Sequence, residues 1–392
     1  MKYGLVVYKD TDNIGDDILS YAAAQFLPQI DYIIDREQLD VFSPEKKEMV
    51  SVIMNGWFLY HKSHWPPSPY INPLFIGIHF SDNKMFGIED AYLNGAGRDY
   101  LNKHKPIGCR DEYTLEKMKA RDIQAYFSGC LTLTLNPFSD VKKNDRYILV
   151  DVPDIVCQKM ISTVGREQVE QVSHNVDGNY DDLTWKERSA VVEIFLKKYQ
   201  AAKMVVTTRL HCALPCLALG TPVLLLMDNN PDTKARMGSY TDFVQHCSTH
   251  EFLNDILYWV TNFSNPTQYI ELRNNIISRC ESFVNQSEDP DERGMSAQVP
   301  DLDSFNRLWK EPTLWQRSLL SDNTICVRNT EWDSLIETNK WLEDQRKWKD
   351  CRIKELEARI EELEKGKECL KNTQQNKNAI FTNCKTDNSE IG

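Results

Sequence analysis

Residues 204–227 read MVVTTRLHCALPCLALGTPVLLLM, and the fold turns on how this stretch is parsed. Met204 to Thr207 is a short apolar run rich in β-branched side chains. Arg209 to Leu219 carries apolar residues at helical spacing, and Pro222 to Leu226 is apolar again after a Gly-Thr break. Strand, helix and strand in so little chain make a βαβ unit, whose two strands are parallel. A single membrane span from Cys212 to Met227 is the competing reading. It fails because Pro215, Gly220 and Pro222 interrupt a run already shorter than the roughly 20 residues a spanning helix needs.

The same alternation extends in both directions. Upstream lie the strand Tyr147 to Val150 and an amphipathic helix from Trp185 to Gln200; downstream, helices over Phe252 to Phe263 and Gln268 to Val284 are expected to close this domain. A separate series precedes it: strands at Tyr3 to Tyr8, Tyr32 to Ile34, Val50 to Met54, Phe75 to Phe80, Pro106 to Cys109 and Ala125 to Phe127, with helices at Asp16 to Leu27 and Ile88 to His104. The charged segment Lys142 to Arg146 separates the two series and reads as a mobile connection. The expected fold class is therefore α/β, with two Rossmann-like domains, residues 1–141 and 147–285, facing each other across a cleft at the carboxyl ends of their strands.

Residues 286–330 read as a linker or crossover, since from Asn285 to Pro300 the composition turns polar, with two prolines and a run of acids. Beyond them, a positions at Trp332, Asn339, Arg346, Ile353, Ile360 and Lys367 set d positions at Leu335, Leu342, Lys349, Leu356, Leu363 and Leu370. The seam predicts a helical coiled coil over 331–371, through which the chain would form a homo-oligomer or bind a partner. A solvated helix packed on its own domain would carry the same pattern. Residues 372–392 are expected to be disordered.

Lys and Arg number 46 against 58 Asp and Glu, a net charge of −12 that speaks against nucleic acid as a partner. Eleven cysteines without a Cys-x-x-Cys pair or an export signal read as reduced thiols in a cytoplasmic protein.

Three motifs fall where a strand ends and a helix begins. Asn13-Ile14-Gly15-Asp16-Asp17 follows the first strand, where a glycine admits a ligand to the backbone and the helix terminus favours an anion; Asn13 or Asp16 would equally serve as a cap. Gly108-Cys109-Arg110-Asp111-Glu112 puts an arginine at the wrong end of the helix dipole, to be compensated by an anionic ligand or by a salt bridge to Asp111, Glu112 or Glu116. Thr207-Thr208-Arg209-Leu210-His211 repeats the arrangement in the second domain, with His211 able to move protons near neutral pH. Zinc on His211, Cys212 and Cys216 lacks a second ligand pair, so no metal is expected, and both thiols read as core. Asn55-Gly56-Trp57 and Ser128-Gly129-Cys130 are turns that could line the cleft. The loop holding His61, His64, Trp65 and Pro66 to Pro69 reads either as an aromatic platform for a sugar or as a packed surface loop. His79 and His174 read as core or rim residues.

Taken in order, Asn13-Ile14-Gly15-Asp16, Gly108-Cys109-Arg110-Asp111-Glu112, Ser128-Gly129-Cys130 and Arg209-Leu210-His211 ahead of Ala218 to Pro222 resemble the polysaccharide pyruvyl transferase family over roughly residues 1–285. The resemblance implies a two-domain, glycosyltransferase-B-type fold. It also implies transfer of the pyruvyl group of phosphoenolpyruvate to a sugar hydroxyl pair, with no separate cofactor. Arg110, Arg209, Leu210 and His211 would hold phosphoenolpyruvate; His211 would act as general acid and Asp16 would accept a hydroxyl proton. Asn13, Gly15, Asn55, Gly56, Ser128 and Gly129 would line the acceptor side, on the first domain. Many members carry a run of glycines after the third strand, where this chain has Asn55-Gly56-Trp57. A lipid-linked acceptor would bring the protein to the inner face of the membrane. Two rival readings stand beside this one: a nucleotide-sugar glycosyltransferase of the same architecture, and a non-catalytic assembly protein acting through its coil.

Overall fold

The computed structural model describes residues 1–9, 11–58, 64–80, 88–176, 180, 182–227, 231–261 and 263–286. The linker, coiled coil and tail expected beyond residue 286 lie outside the described residues, as does His61.

Two fully parallel sheets carry the fold. The first contains β1 (Lys2–Val7), β2 (Tyr32–Asp35), β3 (Val50–Phe58), β4 (Ile71–Phe80), β5 (Ile107–Cys109) and β6 (Ala125–Phe127), in the order β2-β1-β3-β4-β5-β6. The second contains β7 (Tyr147–Val150), β8 (Val169–Val172), β9 (Met204–Thr207), β10 (Val223–Leu226) and β11 (Gln245–Cys247), in the order β11-β10-β9-β7-β8. Read from its β8 edge the second sheet repeats the order of the first, so each has one point where the chain switches direction, between β1 and β3 and between β7 and β9. Ligands of open α/β sheets bind outside the carboxyl ends of the strands at such points. The expected pair of Rossmann-like domains is the architecture observed.

The helices are α1 (Ile14–Ala24), α2 (Ile88–Leu93), α3 (Gly95–Lys103), α4 (Glu112–Lys119), α5 (Asp154–Val164), α6 (Trp185–Ala201), α7 (Leu210–Ala218), α8 (Pro231–Met237), α9 (Thr249–Asn254), α10 (Ile256–Thr261) and α11 (Tyr269–Gln286). One apolar cluster runs from the first sheet into the second: Ile14, Ile18 and Leu19 of α1 share it with Val191 and Phe195 of α6 and with Leu214 and Leu217 of α7. A charged tie crosses the same seam. Arg188 of α6 lies 2.8 Å from Asp17 of α1 and donates to the Tyr8 carbonyl at 2.6 Å, and the Tyr180 hydroxyl donates to Asp17 at 2.5 Å. Removing either partner would strand a buried charge, so this pair fixes how α1 and α6 meet.

Two sequence expectations are corrected. The last helix does not stay with the second sheet. Tyr269 begins α11 with a hydrogen bond to the Leu217 carbonyl, but Leu272, Ile276, Cys280 and Val284 join the core shared with the first sheet. Arg273 donates to the carbonyls of Leu133 and Leu135, and Tyr3 donates to the carbonyl of Val284. The apolar stripe was legible in the sequence, whereas its partner surface was not. The Lys142 to Arg146 segment, read as mobile, is tied to the second domain: Asn144 N–H donates to the Ala201 carbonyl at 2.7 Å, and Lys143 reaches Thr221 Oγ1 at 3.1 Å.

Candidate active site

Both switch points are furnished with polar groups. After β1, Asn13 caps α1 by accepting from Gly15 N–H at 3.0 Å, and Thr11 Oγ1 donates to Asp16 Oδ2 at 2.8 Å. The second domain grips this loop directly, with Ile14 N–H donating to the His174 carbonyl at 2.9 Å and Val176 N–H to the Asp12 carbonyl at 2.7 Å. The grip brings the two halves of the expected site into contact. A Cβ placed on Gly15 would sit 3.2 Å from His211 Cβ and 3.3 Å from His211 Nδ1. Glycine is required here so that the imidazole can lie against the α1 backbone. Burial raises the carboxyl of Asp16 above its ordinary range, opposed by Arg36, the Thr11 hydroxyl and Arg110.

His211 lies in the first turn of α7. Its Nε2 is buried and bonds to none of the described residues, and its proton affinity is pushed well below the usual imidazole range, first by burial and then by Arg110, Arg236 and two other histidines. The ring is therefore neutral near pH 7 in the ligand-free protein. Arg209 occupies the cap position of α7 in an extended conformation, and its side chain makes no capping hydrogen bond, so the first-turn amides have no side-chain cap. Leu210 contributes one of those amides, while its side chain is buried in the core.

Arg110 ends β5. Only 2% of it is exposed, its N–H donates to the Ile78 carbonyl, and its own carbonyl accepts from Tyr240 of the second domain at 2.6 Å. The salt bridge that sequence alone allowed with Asp111 is loose, at 3.5 Å from Nε, because Asp111 is already engaged. Its Oδ1 caps α4 by accepting from Thr114 N–H and Oγ1, and its Oδ2 lies 2.6 Å from His79 Nδ1. Arg110 Nε is left buried without a hydrogen-bond partner among the described residues. An unsatisfied guanidinium N–H in the interior is costly, and an arriving anion would complete it.

Arg209 is better satisfied than the sequence reading assumed. Its Nε donates to Asp151 Oδ2 at 2.7 Å and its Nη2 to Asn175 Oδ1 at 3.1 Å. Asp151, in a left-handed conformation after β7, also accepts from Ser173 Oγ and His174 N–H, so Arg209 is held in one orientation at the second switch point. Sequence reasoning missed Asp151 and also missed Arg236 of α8. Arg236 is exposed at its surface yet partly desolvated, and this desolvation, then Arg110 and Arg209, push it below the ordinary guanidinium range, while Asp16 and Asp111 pull the other way. Three arginines from both domains thus crowd one region. The signal for Arg236 was available, since α8 follows the carboxyl end of the next strand, β10.

Other expected residues have structural duties. Asn55 is buried and donates to the Leu19 carbonyl, tying α1 to β3. Gly56 has φ of 102°, and a Cβ there would lie 1.8 Å from the Tyr8 hydroxyl. Ser128 Oγ accepts from Gly77 N–H at 2.9 Å, and Gly129 packs against Leu272 of α11, so both make their contacts with the sheet and α11. Trp65 is buried against Tyr92, at 4.1 Å between ring centroids, so its ring is packed and offers no open platform. Cys212 and Cys216 are fully buried. Among the described residues no helix is long and apolar enough to cross a membrane.

Comparison with solved structures finds loose similarity to a functionally uncharacterised protein from Klebsiella pneumoniae, with 16% identity, TM-score 0.35, and coverage of 60% of this chain and 87% of that one. A UDP-GlcNAc 2-epimerase from Methanocaldococcus jannaschii overlaps with 12% identity, TM-score 0.38, and coverage of 73% and 99%. Overlaps this loose say nothing of the site. Comparison with curated proteins finds no match. The family model of polysaccharide pyruvyl transferases matches residues 13–230, which begin at the cap of α1 and take in Arg110, Arg209 and His211. The match spans more than half of the chain and both switch points, and the protein belongs to the polysaccharide pyruvyl transferase family.

Proposed function

We propose that the protein transfers the pyruvyl group of phosphoenolpyruvate to two hydroxyls of a sugar in a surface-polysaccharide precursor, forming a cyclic ketal and releasing phosphate. The observation that carries this reading is the buried Nε of Arg110 and the Nε2 of His211, both without a hydrogen-bond partner among the described residues, with Arg110 among the charges that act on His211. Phosphoenolpyruvate brings a carboxylate and a phosphate, which suit guanidinium groups held on facing domains. Arg110, Arg209, Arg236 and the first amides of α7, those of Leu210 and His211, form the donor cradle. Asn13, Gly15 and Asp16 border the acceptor.

Charge explains the order of events. The dianionic phosphate offsets Arg110, the repulsion that keeps His211 neutral falls, and the imidazole gains a proton. That proton goes to the methylene carbon as the first acceptor hydroxyl bonds to C2 and gives its own proton to Asp16, whose raised proton affinity suits it to a base. The second hydroxyl then bonds to C2 and gives its proton up, in the end to solvent; the C2–O bond to phosphate breaks, and phosphate leaves with the electron pair and the proton held by Asp16.

Phosphate release from phosphoenolpyruvate, measured with galactose-, glucose- and mannose-type acceptors beside an Arg110→Gln control, tests the reading. Acceptor-dependent release that the control abolishes supports it. Nucleotide release from a sugar donor, with no phosphate from phosphoenolpyruvate, would instead identify a glycosyltransferase.

A further inference from the structure

We propose that His79, oriented by Asp111, is the general base that removes the proton of the second acceptor hydroxyl as the ketal ring closes; this rests on the pyruvyl-transfer reading above. His79 is the penultimate residue of β4, beside Trp57 in register, and Asp111 follows β5, so both stand at the carboxyl rim that also carries Arg110. The pair is buried: His79 is 4% exposed and Asp111 0%.

The hydrogen bonds fix the tautomer. Asp111 is held ionised: burial raises its carboxyl, but the hydrogen bond from His79, the charge of Arg110 and Thr114 N–H act against it, and it lies below the ordinary range. An ionised carboxylate only accepts, so at 2.6 Å the proton between them sits on His79 Nδ1. Thr114 agrees. Its hydroxyl donates to Asp111 Oδ1 at 2.8 Å, which leaves its oxygen to accept weakly from the same Nδ1–H at 3.3 Å. Nε2 therefore carries the lone pair, and none of the described residues bonds to it.

The location supplies the role. Arg110 Nε and His79 Nδ1 converge on the same Asp111 oxygen, at 3.5 and 2.6 Å, so an anion on Arg110 is next to the imidazole. Ketal formation releases two hydroxyl protons. Asp16 takes the first; when the second hydroxyl forms its bond to C2, its proton passes to His79 Nε2. The C2–O bond breaks, and phosphate leaves with the electron pair and the proton held by Asp16. The imidazolium of His79 returns its proton to solvent, restoring the neutral base, while His211 is recharged when the next donor binds.

The test separates the two additions. In deuterium oxide the first addition puts deuterium on the methylene carbon, and its reversal returns labelled phosphoenolpyruvate. His79→Asn keeps an N–H where Nδ1 donates to Asp111 but has no Nε2. It should release phosphate about a hundredfold more slowly than the unaltered chain, yet still label phosphoenolpyruvate in the presence of the acceptor. His211→Gln should lose both activities. His79→Gln repeats the test if circular dichroism shows the asparagine variant unfolded. Wild-type release in a folded His79 variant, or equal loss of release and labelling, would overturn the proposal while leaving the pyruvyl-transfer reading intact. A wild-type chain that releases no phosphate with any acceptor would overturn that reading first, and this one with it.

Discussion

Replacing Gly15 by alanine adds a single methyl group at the second residue of α1. The new Cβ would lie 3.0 Å from Asn13 Oδ1, 3.2 Å from His211 Cβ and 3.3 Å from His211 Nδ1, all inside the ordinary contact distance of about 3.5 Å or more. One partner must give way by a few tenths of an ångström. The Asn13 loop is held by Ile14 N–H on His174 and Val176 N–H on Asp12, and Ile14 itself is fully buried, so the imidazole is the group that moves. Stability should change little, because alanine gains about 0.5–1 kcal/mol over glycine in a helix and the crowding costs a similar amount. Turnover should not escape. If a displacement of about 1 Å costs roughly a hundredfold, a third of that costs about fivefold. The assay is acceptor-dependent phosphate release, read beside a thermal melt and the imidazole resonances of His211. A shifted resonance and a fivefold lower kcat at an unchanged melting temperature are expected. Wild-type kcat with a shifted resonance would refute the placement of His211 at the chemistry, and a collapsed melting temperature would make Gly15 a packing residue.

Asp17→Asn leaves Arg188 buried without its counter-charge, and unfolding in urea should show a loss of about 3–5 kcal/mol; a loss under 1 kcal/mol would mean the tie between α1 and α6 is not a buried ion pair. Gly56→Ala drives a Cβ into the Tyr8 hydroxyl at φ 102°, so it should destabilise strongly, and adding Tyr8→Phe should recover part of the loss; a strictly additive double variant contradicts the contact. His211 has a folded proton affinity below its unfolded value near 6.5, so under acid the unfolded chain binds the extra proton, and the contribution of this residue to stability is complete above about pH 6.5 and lost as pH falls. Asp17, raised by burial to about 6, acts in the opposite direction over the same window, so the comparison must be with His211→Gln. Between pH 7 and pH 5 the unaltered chain should lose more stability than the variant, and parallel curves would show that the imidazole is not buried.

What the sequence disclosed and what it withheld follow the reach of each interaction. The βαβ reading of residues 204–227 needed only neighbours in the chain, and the Asn13, Arg110 and Arg209 motifs were visible because each is a strand end joined to a helix start. Partnerships across parallel strands were hidden, since a whole helix separates such neighbours in sequence. His79 and Asp111 stand at the ends of adjacent strands, 32 residues apart, and Asp151 meets Arg209 from 58 residues away. The same limit explains α11, whose stripe fits either sheet until Gly129 and the carbonyls of Leu133 and Leu135 select the first. Strand order would have closed most of the gap. With both sheets ordered alike, the loops after β1 and β3 in one domain and after β7 and β9 in the other are the switch-point loops. The contact of Gly15 with His211 then follows from two domains that face each other through those loops. An acidic chain can carry arginines at its switch points for the same local reason, because acidic side chains stand beside them: Asp151 accepts from Arg209, and Asp16 and Asp111 act on Arg236.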